Sequence, residues 1–488
     1  MGLAYIGAVL EQAGFEVEVL DLLVSKYAQE KVARAMAAYQ PDVVGITSVT
    51  MNYPAASEIL RYCKGLDDTV TTVIGGPHVS FRSAETLLEA PWIDVVVRRE
   101  GEQTMLDIVS GRKLDEIAGI AFRDGDIRVT PDRPFIERLD ELPPPARHLF
   151  PESKYRALHG HCSVITGRGC PFHCIFCVGP KMGGRKPRFR DPRLVVDEIE
   201  GLLARGYREV NIQDDLLTVN HRRLHAICDQ ILARRLNFGW SAFARVDTVN
   251  AELLSKMKAA GCNWISYGVE SGNQRILDTV EKKITLDKVR EGVRLGLEAG
   301  INILASFIIG LPGETKQTIV ETERFAEELG AMYGFHILAP CPGSKVRENA
   351  DGYGIEILTD DWSKYDANRA VTRTPEVGPE EVAGVLRRYR ERFGLAPSEL
   401  GEESGEAGVQ EARSNHRSPL AWMLVEGDVI ENLGPVESRG DPVDALARKL
   451  TEMLPHSYSD LRDCVGGWNA EGLLRHRVTG ETVVWNWS

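Results

Sequence analysis

"GRGCPFHCIFCVGP", residues 167 to 180, sets three of the chain's nine cysteines within eight positions. Cys170, Cys174 and Cys177 follow the spacing C-x3-C-x2-C. Three thiolates on one short loop suit three corners of an iron–sulfur cube, because soft thiolate is the favoured donor for such clusters. Structural zinc takes four protein ligands, and no second Cys-x2-Cys pair accompanies the trio. His173 lies inside the loop as a candidate fourth zinc ligand, but its adjacency to Cys174 makes that geometry awkward. His221 and His225 form a His-x3-His pair on a different expected helix and read as surface residues. Spacing favours a cluster, with zinc and a chance grouping as the alternatives. An iron with three protein ligands keeps one corner for an exogenous chelating group, as open catalytic metal sites do.

What flanks the loop decides the fold. "CSVITG" (162–167) is the first of six strand candidates, followed by "EVNIQD" (209–214), "GWSAFA" (239–244), "NWISYGV" (263–269), "NILASFIIG" (302–310) and "FHILAP" (335–340). Helical stretches such as "DPRLVVDEIEGLLARG" separate them. Six βα-like units predict a (β/α)6 partial TIM barrel with function at the C-terminal ends of its strands. The cysteines come just after the first strand, where such a fold keeps its chemistry.

Upstream, "EVEVLDL" (16–22), "DVVGITSV" (42–49), "TTVIGGPHV" (71–79) and "DVVVRRE" (94–100) are β-branched runs spaced by amphipathic segments. They predict an α/β unit with a doubly wound parallel sheet. A hairpin, "GIAFRDGDIRVTP", follows with Asp-Gly at its turn. The chain opens on a helical segment, "MGLAYIGAVLEQAGF", where the customary first strand is expected; either the start is truncated or the sheet is built without it. The prolines of "ELPPPARHLFP" mark a boundary. The expected domains are 1–140, a linker at 141–160, the barrel at 161–345, a helical extension at 346–398, a polar linker at 399–417 and a small α+β region at 418–488.

The net charge of −13 argues against a nonspecific nucleic-acid binder. The basic stretch from Arg185 to Arg193 reads as a solvated loop or as a site for a phosphate or acidic substrate. No window approaches the ~20 apolar residues that cross a bilayer. The N-terminus lacks signal-peptide flanks, and nine cysteines without secretory signals suggest reduced thiols and a cytoplasmic protein.

The cysteine motif "CPFHCIFC", with Phe176 before the last thiol and six βα units behind it, resembles the radical S-adenosylmethionine (SAM) family. The resemblance implies a [4Fe–4S] cluster whose open iron holds the amino and carboxylate groups of SAM, and an electron transfer that releases a 5′-deoxyadenosyl radical. It also implies an external electron donor such as flavodoxin or ferredoxin, and a small-molecule substrate. By the same resemblance Asp214 or Asp215 in "NIQDDLLT" meets the methionyl ammonium and Arg245 in "SAFARVDTV" the carboxylate. Glu270 and Ser271 in "YGVESG" fall near the amino acid or ribose, and Gly310, Pro312 and Gly313 in "IIGLPGET" shape the adenosyl pocket. Cys341, at the mouth of the last strand, is either a cavity residue or a packed thiol.

The first domain, with "GITSVT" followed by "GGPHVS", resembles the cobalamin-binding domain of one radical SAM subgroup, which includes carbon methyltransferases and the anaerobic magnesium-protoporphyrin ester cyclase type. That places Ser48, Thr50, Gly75, Gly76 and His78 near the corrin tail, although the motif Asp-x-His-x-x-Gly is absent. The expected function is cobalamin-dependent C-methylation. The alternatives are radical cyclisation, oxidation or rearrangement without cobalamin and, more remotely, a non-catalytic metal-binding interaction protein.

Overall fold

The computed structural model describes residues 1–158, 160, 162–393, 419–426, 428–438, 440–454, 456–479 and 481–488. The expected polar linker at 399–417 lies outside the described residues. The chain divides into two compact units, Met1–Glu16 with Gln40–Pro145 and Cys162–Ala407, and Val17–Tyr39 with Ala146–His161 and Gly408–Ser488.

The first unit holds two sheets. Strands β1 (Val43–Thr47), β2 (Thr71–Gly75) and β3 (Val95–Val97) run parallel in that order, and β4 (Ile120–Asp124) and β5 (Asp126–Val129) extend the sheet antiparallel. Val95, Val96 and Val97 are all buried, which follows from helices covering a parallel strand on both faces. The β4–β5 hairpin turns at Gly125, whose φ of +69° suits glycine. Helix Gly2–Gln12 forms as expected and packs against helix Glu102–Val109.

"EVEVLDL" is a correction. Its alternation is strand-like, yet residues 16–22 form no strand, and most of the segment groups with the second unit. Alternation alone makes no ladder; backbone groups need a partner, and among the described residues the sheet ends at β1.

The second sheet of this unit contains β6 (Cys162–Val164), β9 (Glu209–Ile212), β10 (Gly239–Ala244), β11 (Cys262–Glu270), β12 (Asn302–Ile309) and β13 (Met332–Ile337), each parallel to its sequence neighbour. The order is sequential and the ends do not pair, so this is an open partial barrel. Trp240, Ala242, Ile265, Tyr267, Ile303 and Phe307 pack outward against helical residues such as Val195, Leu224 and Leu253. The alternate residues face away from the helices and line the concave side. A two-residue pairing of β7 (Gly167–Arg168) with β8 (Arg188–Phe189) closes the cysteine loop at its base. After the barrel, β14 (Glu356–Ile357) and β15 (Thr372–Arg373) form a short ribbon before helix Pro379–Phe393.

The second unit gathers three separated stretches of chain. Val24, Ala157 and Leu158 join Leu424, Leu446, Leu461, Val465 and Trp485 in one apolar core. Asp428 ties the same three stretches by charge: it accepts from Ser25 Oγ at 2.9 Å and Lys154 Nζ at 2.7 Å, and it pairs with Lys31. Burial pushes its carboxyl up, but the hydrogen bonds from Lys154 and Lys31 outweigh this and hold it below the usual range. Helix Glu152–Ala157, in the stretch expected as a linker, belongs here.

Candidate functional site

Cys170, Cys174 and Cys177 sit on the loop between β7 and helix Gly179–Met182. The loop is pinned from several directions. Ile175, between two of the cysteines, is fully buried among Ile276, Val280, Leu311 and Val346, with Phe176 packed beside them. Its N–H donates to Val280 O at 3.2 Å and its carbonyl accepts from Val346 N at 3.1 Å. Gly169, at φ +98°, lets Cys170 N reach Gly184 O at 3.0 Å; a Cβ there would lie 2.8 Å from that carbonyl. The cysteines themselves stay accessible, Cys170 and Cys174 partly and Cys177 more openly exposed.

The Cys170 and Cys177 thiols are both pushed up. Desolvation is the larger cause and neighbouring thiol charge a smaller one. Among the described residues no three His, Cys, Asp or Glu converge closely enough to hold one metal ion. Thiols gathered on one loop, without convergence on a point, fit a multi-iron cluster better than a single zinc, which needs four ligands at one centre.

The two aspartates after β9 do different things. Asp214 spends its oxygens on Thr166, accepting from the backbone N–H at 2.6 Å and the hydroxyl at 2.5 Å. Arg223 donates to the carbonyl of Thr166 at 2.6 Å. Burial raises the Asp214 carboxyl, with the Thr166 bonds opposing. Asp214 therefore ties the end of β6 to β9. Asp215 faces the cysteine loop, accepting from Gly169 N at 2.7 Å. Cβ atoms built on Gly179 and Gly183 would come within 3.5 and 2.7 Å of its oxygens.

Arg245, after β10, lies over the Phe172 ring at 3.5 Å and donates to Cys174 Sγ at 3.8 Å. Its guanidinium also pairs with both Asp247 oxygens, at 2.9 and 3.0 Å, and donates to Lys282 O at 2.8 Å. Glu270, at the end of β11, holds a left-handed φ of +73° and pairs with Lys282 Nζ at 2.7 Å; both side chains are buried. Ser271 is buried against Thr322 Oγ1 at 3.2 Å, an internal contact. Gly310 and Gly313 take φ of +92° and +76°, so the turn after β12 requires them, with Pro312 buried between. Glu314 accepts from Gly310 N at 2.6 Å and Leu311 N at 3.2 Å, and its burial lifts the carboxyl to about 8.

Several residues here escaped the sequence reading. Glu100, from the loop after β3, accepts from Arg168 at 2.9 Å and from Arg188 at 2.9 and 3.0 Å. Burial works against its charge, but Arg188 and Arg168 hold its carboxyl below the usual range. These arginines belong to β7 and β8, so the first sheet's loop braces the base of the cysteine loop. On the concave side, Phe243 is 51% exposed, Ser241 bonds Asn211 at 3.3 Å and Ser266 meets Ser306 at 3.5 Å. Period-two alternation within "GWSAFA" was the signal for that face.

At the C-terminal ends of β1 and β2, Ser48, Thr50, Gly75, Gly76 and His78 come together. Gly76, at φ +106°, is in close backbone contact: a Cβ there would lie 2.2 Å from Ser48 O. His78 is 1% exposed, stacked on Tyr53 at 4.3 Å and edge-on to Trp362 at 4.9 Å. Burial, then the charges of Arg82 and Arg347, push its ring down to about 3, so it is neutral. Neither ring nitrogen has a hydrogen-bond partner. Orphaned buried nitrogens at a strand C-terminus fit a ligand that brings its own polar groups, as the amide- and phosphate-bearing tail of cobalamin would. Cys341 packs near this end, its thiol raised by burial while a hydrogen bond with Thr50 opposes the rise.

Family comparison agrees with the geometry. Residues 1–109 match the B12 binding domain and residues 164–326 match the radical SAM superfamily. An uncharacterized methyltransferase of Pyrococcus horikoshii is 34% identical over 408 residues, 82% of this chain and 88% of that one. The anaerobic magnesium-protoporphyrin IX monomethyl ester cyclase of Rubrivivax gelatinosus is 31% identical, over 80% of this chain and 73% of that one. The structure of the radical SAM methyltransferase TsrM from Kitasatospora setae, with cobalamin and a [4Fe–4S] cluster bound, shares the fold at a TM-score of 0.64 and 20% identity, covering 96% of each chain. The chain belongs to the radical SAM superfamily, in the group that carries a B12 binding domain.

Proposed function

We propose that this protein methylates an unactivated carbon of a small molecule, using SAM, a [4Fe–4S] cluster and cobalamin. When bound, the cluster supplies the electron that cleaves SAM, and cobalamin supplies a methyl carrier. The carrying observation is that, within one compact unit, the B12-type strand ends adjoin the barrel mouth. Cys341 packs near Thr50, a Cβ on Gly343 would lie 2.3 Å from the Phe81 ring, and Glu100 bridges to Arg168 and Arg188. Methyl donor and hydrogen-abstracting group must reach one substrate carbon, and this adjacency supports that reading.

The chain's own residues divide the work. Cys170, Cys174 and Cys177 would hold the cluster. Asp215, held against the cysteine loop, would accept from the ammonium of SAM, and Arg245, whose guanidinium lies over Phe172 and reaches Cys174, would meet its carboxylate. Gly310, Pro312 and Gly313 fix the turn beneath an adenosyl group, and Phe243 offers an apolar wall to substrate. An external donor such as flavodoxin or ferredoxin would supply electrons. No disulfide joins cysteines among the described residues, and the reading places the protein in the reducing cytoplasm.

A second reading, radical cyclisation or oxidation without methyl transfer, draws support from the similarity to the cyclase of Rubrivivax gelatinosus. Anaerobically reconstituted protein separates the two. Bound corrin absorption, with S-adenosylhomocysteine formed alongside 5′-deoxyadenosine, is the expected result. 5′-Deoxyadenosine without either would establish the second reading, and cluster-loaded protein that never cleaves SAM would reject both.

A further inference from the structure

Neither family match reaches residues 419–488. Helix Pro419–Glu426 leads to strand β16 (Val436–Glu437), helices Pro442–Met453 and Tyr458–Ala470, and the hairpin of β17 (Leu474–Thr479) and β18 (Thr482–Trp487). The two longer helices pack on each other across a short turn, with Asp441 capping the first and Ser457 the second. Strand β18 lies between β16 and β17. This is the topology of a winged helix–turn–helix, with β17 at the free edge of the wing.

Exposed strand edges are normally blunted by proline, a bulge, short length or charged side chains. Of these β17 has only the charges of Arg475 and Arg477. It pairs with β18 without a register break from Leu474↔Trp487 to Thr479↔Thr482, and its other edge has no strand among the described residues. Only Leu474 is buried along it, and Val478 is 58% exposed. Alternation puts Arg475 and Arg477 on one face and His476 and Val478 on the other. The charge here runs against its surroundings: residues 419–488 contain eleven Asp and Glu but six Lys and Arg, two of them on this strand. Among the described residues the neighbouring ion pairs, Lys449–Glu452 and Arg462 with Asp441 and Asp444, lie on the helices.

That pattern decides between partners. In a helix–turn–helix that reads DNA, the second helix enters the major groove and needs free cations against phosphate. Tyr458–Ala470 instead exposes Asp460 and Asp463, and its Arg462 is engaged by Asp444. Two arginines on one strand also repel a second copy of the same edge. We propose that β17 docks an extended acidic segment of a partner protein, which adds to the wing as a further strand. Main-chain hydrogen bonds would hold it, acidic side chains would meet Arg475 and Arg477, and alternate apolar side chains would cover Val478.

The probe is a fluorescein-labelled synthetic peptide of alternating Glu and Val, titrated into the full chain and followed by anisotropy and amide hydrogen exchange. Expected are saturable binding that weakens with salt and slowed exchange across 474–479. Arg475→Glu with Arg477→Glu should weaken binding about tenfold or more. The milder Arg475→Gln with Arg477→Gln pair, checked for an unchanged melting temperature, should give an intermediate loss. Equal binding by a Lys/Val peptide, no protection at 474–479, or duplex DNA displacing the peptide would each overturn the proposal.

Discussion

Lys282→Met tests how the site is held together. Lys282 Nζ and Glu270 Oε1 are 2.7 Å apart, with side chains only 6% and 10% exposed. Truncating the ammonium leaves a buried carboxylate with no counter-charge, a change that costs on the order of 3–5 kcal/mol. The backbone carbonyl of Lys282, which accepts from Arg245 Nη2 at 2.8 Å, survives the substitution. The loss should therefore come from the charge alone. Glu270→Gln in the same chain removes the orphaned charge, so the double variant should recover most of the stability. The assay is urea unfolding of the four proteins of the cycle, followed by tryptophan emission and far-ultraviolet circular dichroism. Loss below ~1 kcal/mol in the single variant, or a double variant no more stable than it, would refute the reasoning, since ~1 kcal/mol is the level of exposed pairs.

Glu314 is raised from 4.5 to about 8 by burial. Its contribution to stability is full below pH 4.5 and is lost as pH climbs toward 8, so Glu314→Gln should flatten that slope in unfolding curves relative to wild type. Cys174→Ala should leave the secondary structure intact while iron content per chain falls and SAM cleavage disappears; retained cleavage would reject the ligand assignment. Gly76→Ala should destabilise by roughly 2 kcal/mol or more, measured by denaturant midpoint, because φ is +106° and a Cβ would lie 2.2 Å from Ser48 O. Glu100→Gln should speed iron loss on mild heating, since it weakens the brace on Arg168 and Arg188.

The barrel was legible because each strand announces itself locally. "GWSAFA" coincides with β10 residue for residue, and the other five lie on or beside their quoted runs. "EVEVLDL" carried the same local signal and failed, since pairing is decided by a partner the segment itself cannot specify. The three cysteines stood out by spacing, whereas what fixes them did not. Ile175 looks like any core residue, Glu100 lies far from Arg168 and Arg188 in sequence, and Thr166 reveals its grip on Asp214 only in space. The arginine of "SAFARVDTV" is visible in the sequence, and its pairing with Asp247, two residues on, is as local. Side-chain pairing across long separations is set by topology, which periodicity reports only indirectly.

Asp428 and the core around Val24, Ala157 and Leu158 join chain ends that a ribosome delivers far apart in time. At about 5–20 residues per second, helix Gln29–Tyr39 waits roughly 20–80 s for residues beyond 419 to emerge. During that wait Val24, Lys31 and Lys154 lack the companions that bury or neutralise them. Nascent chains stalled before this last stretch would therefore be natural clients for holding chaperones.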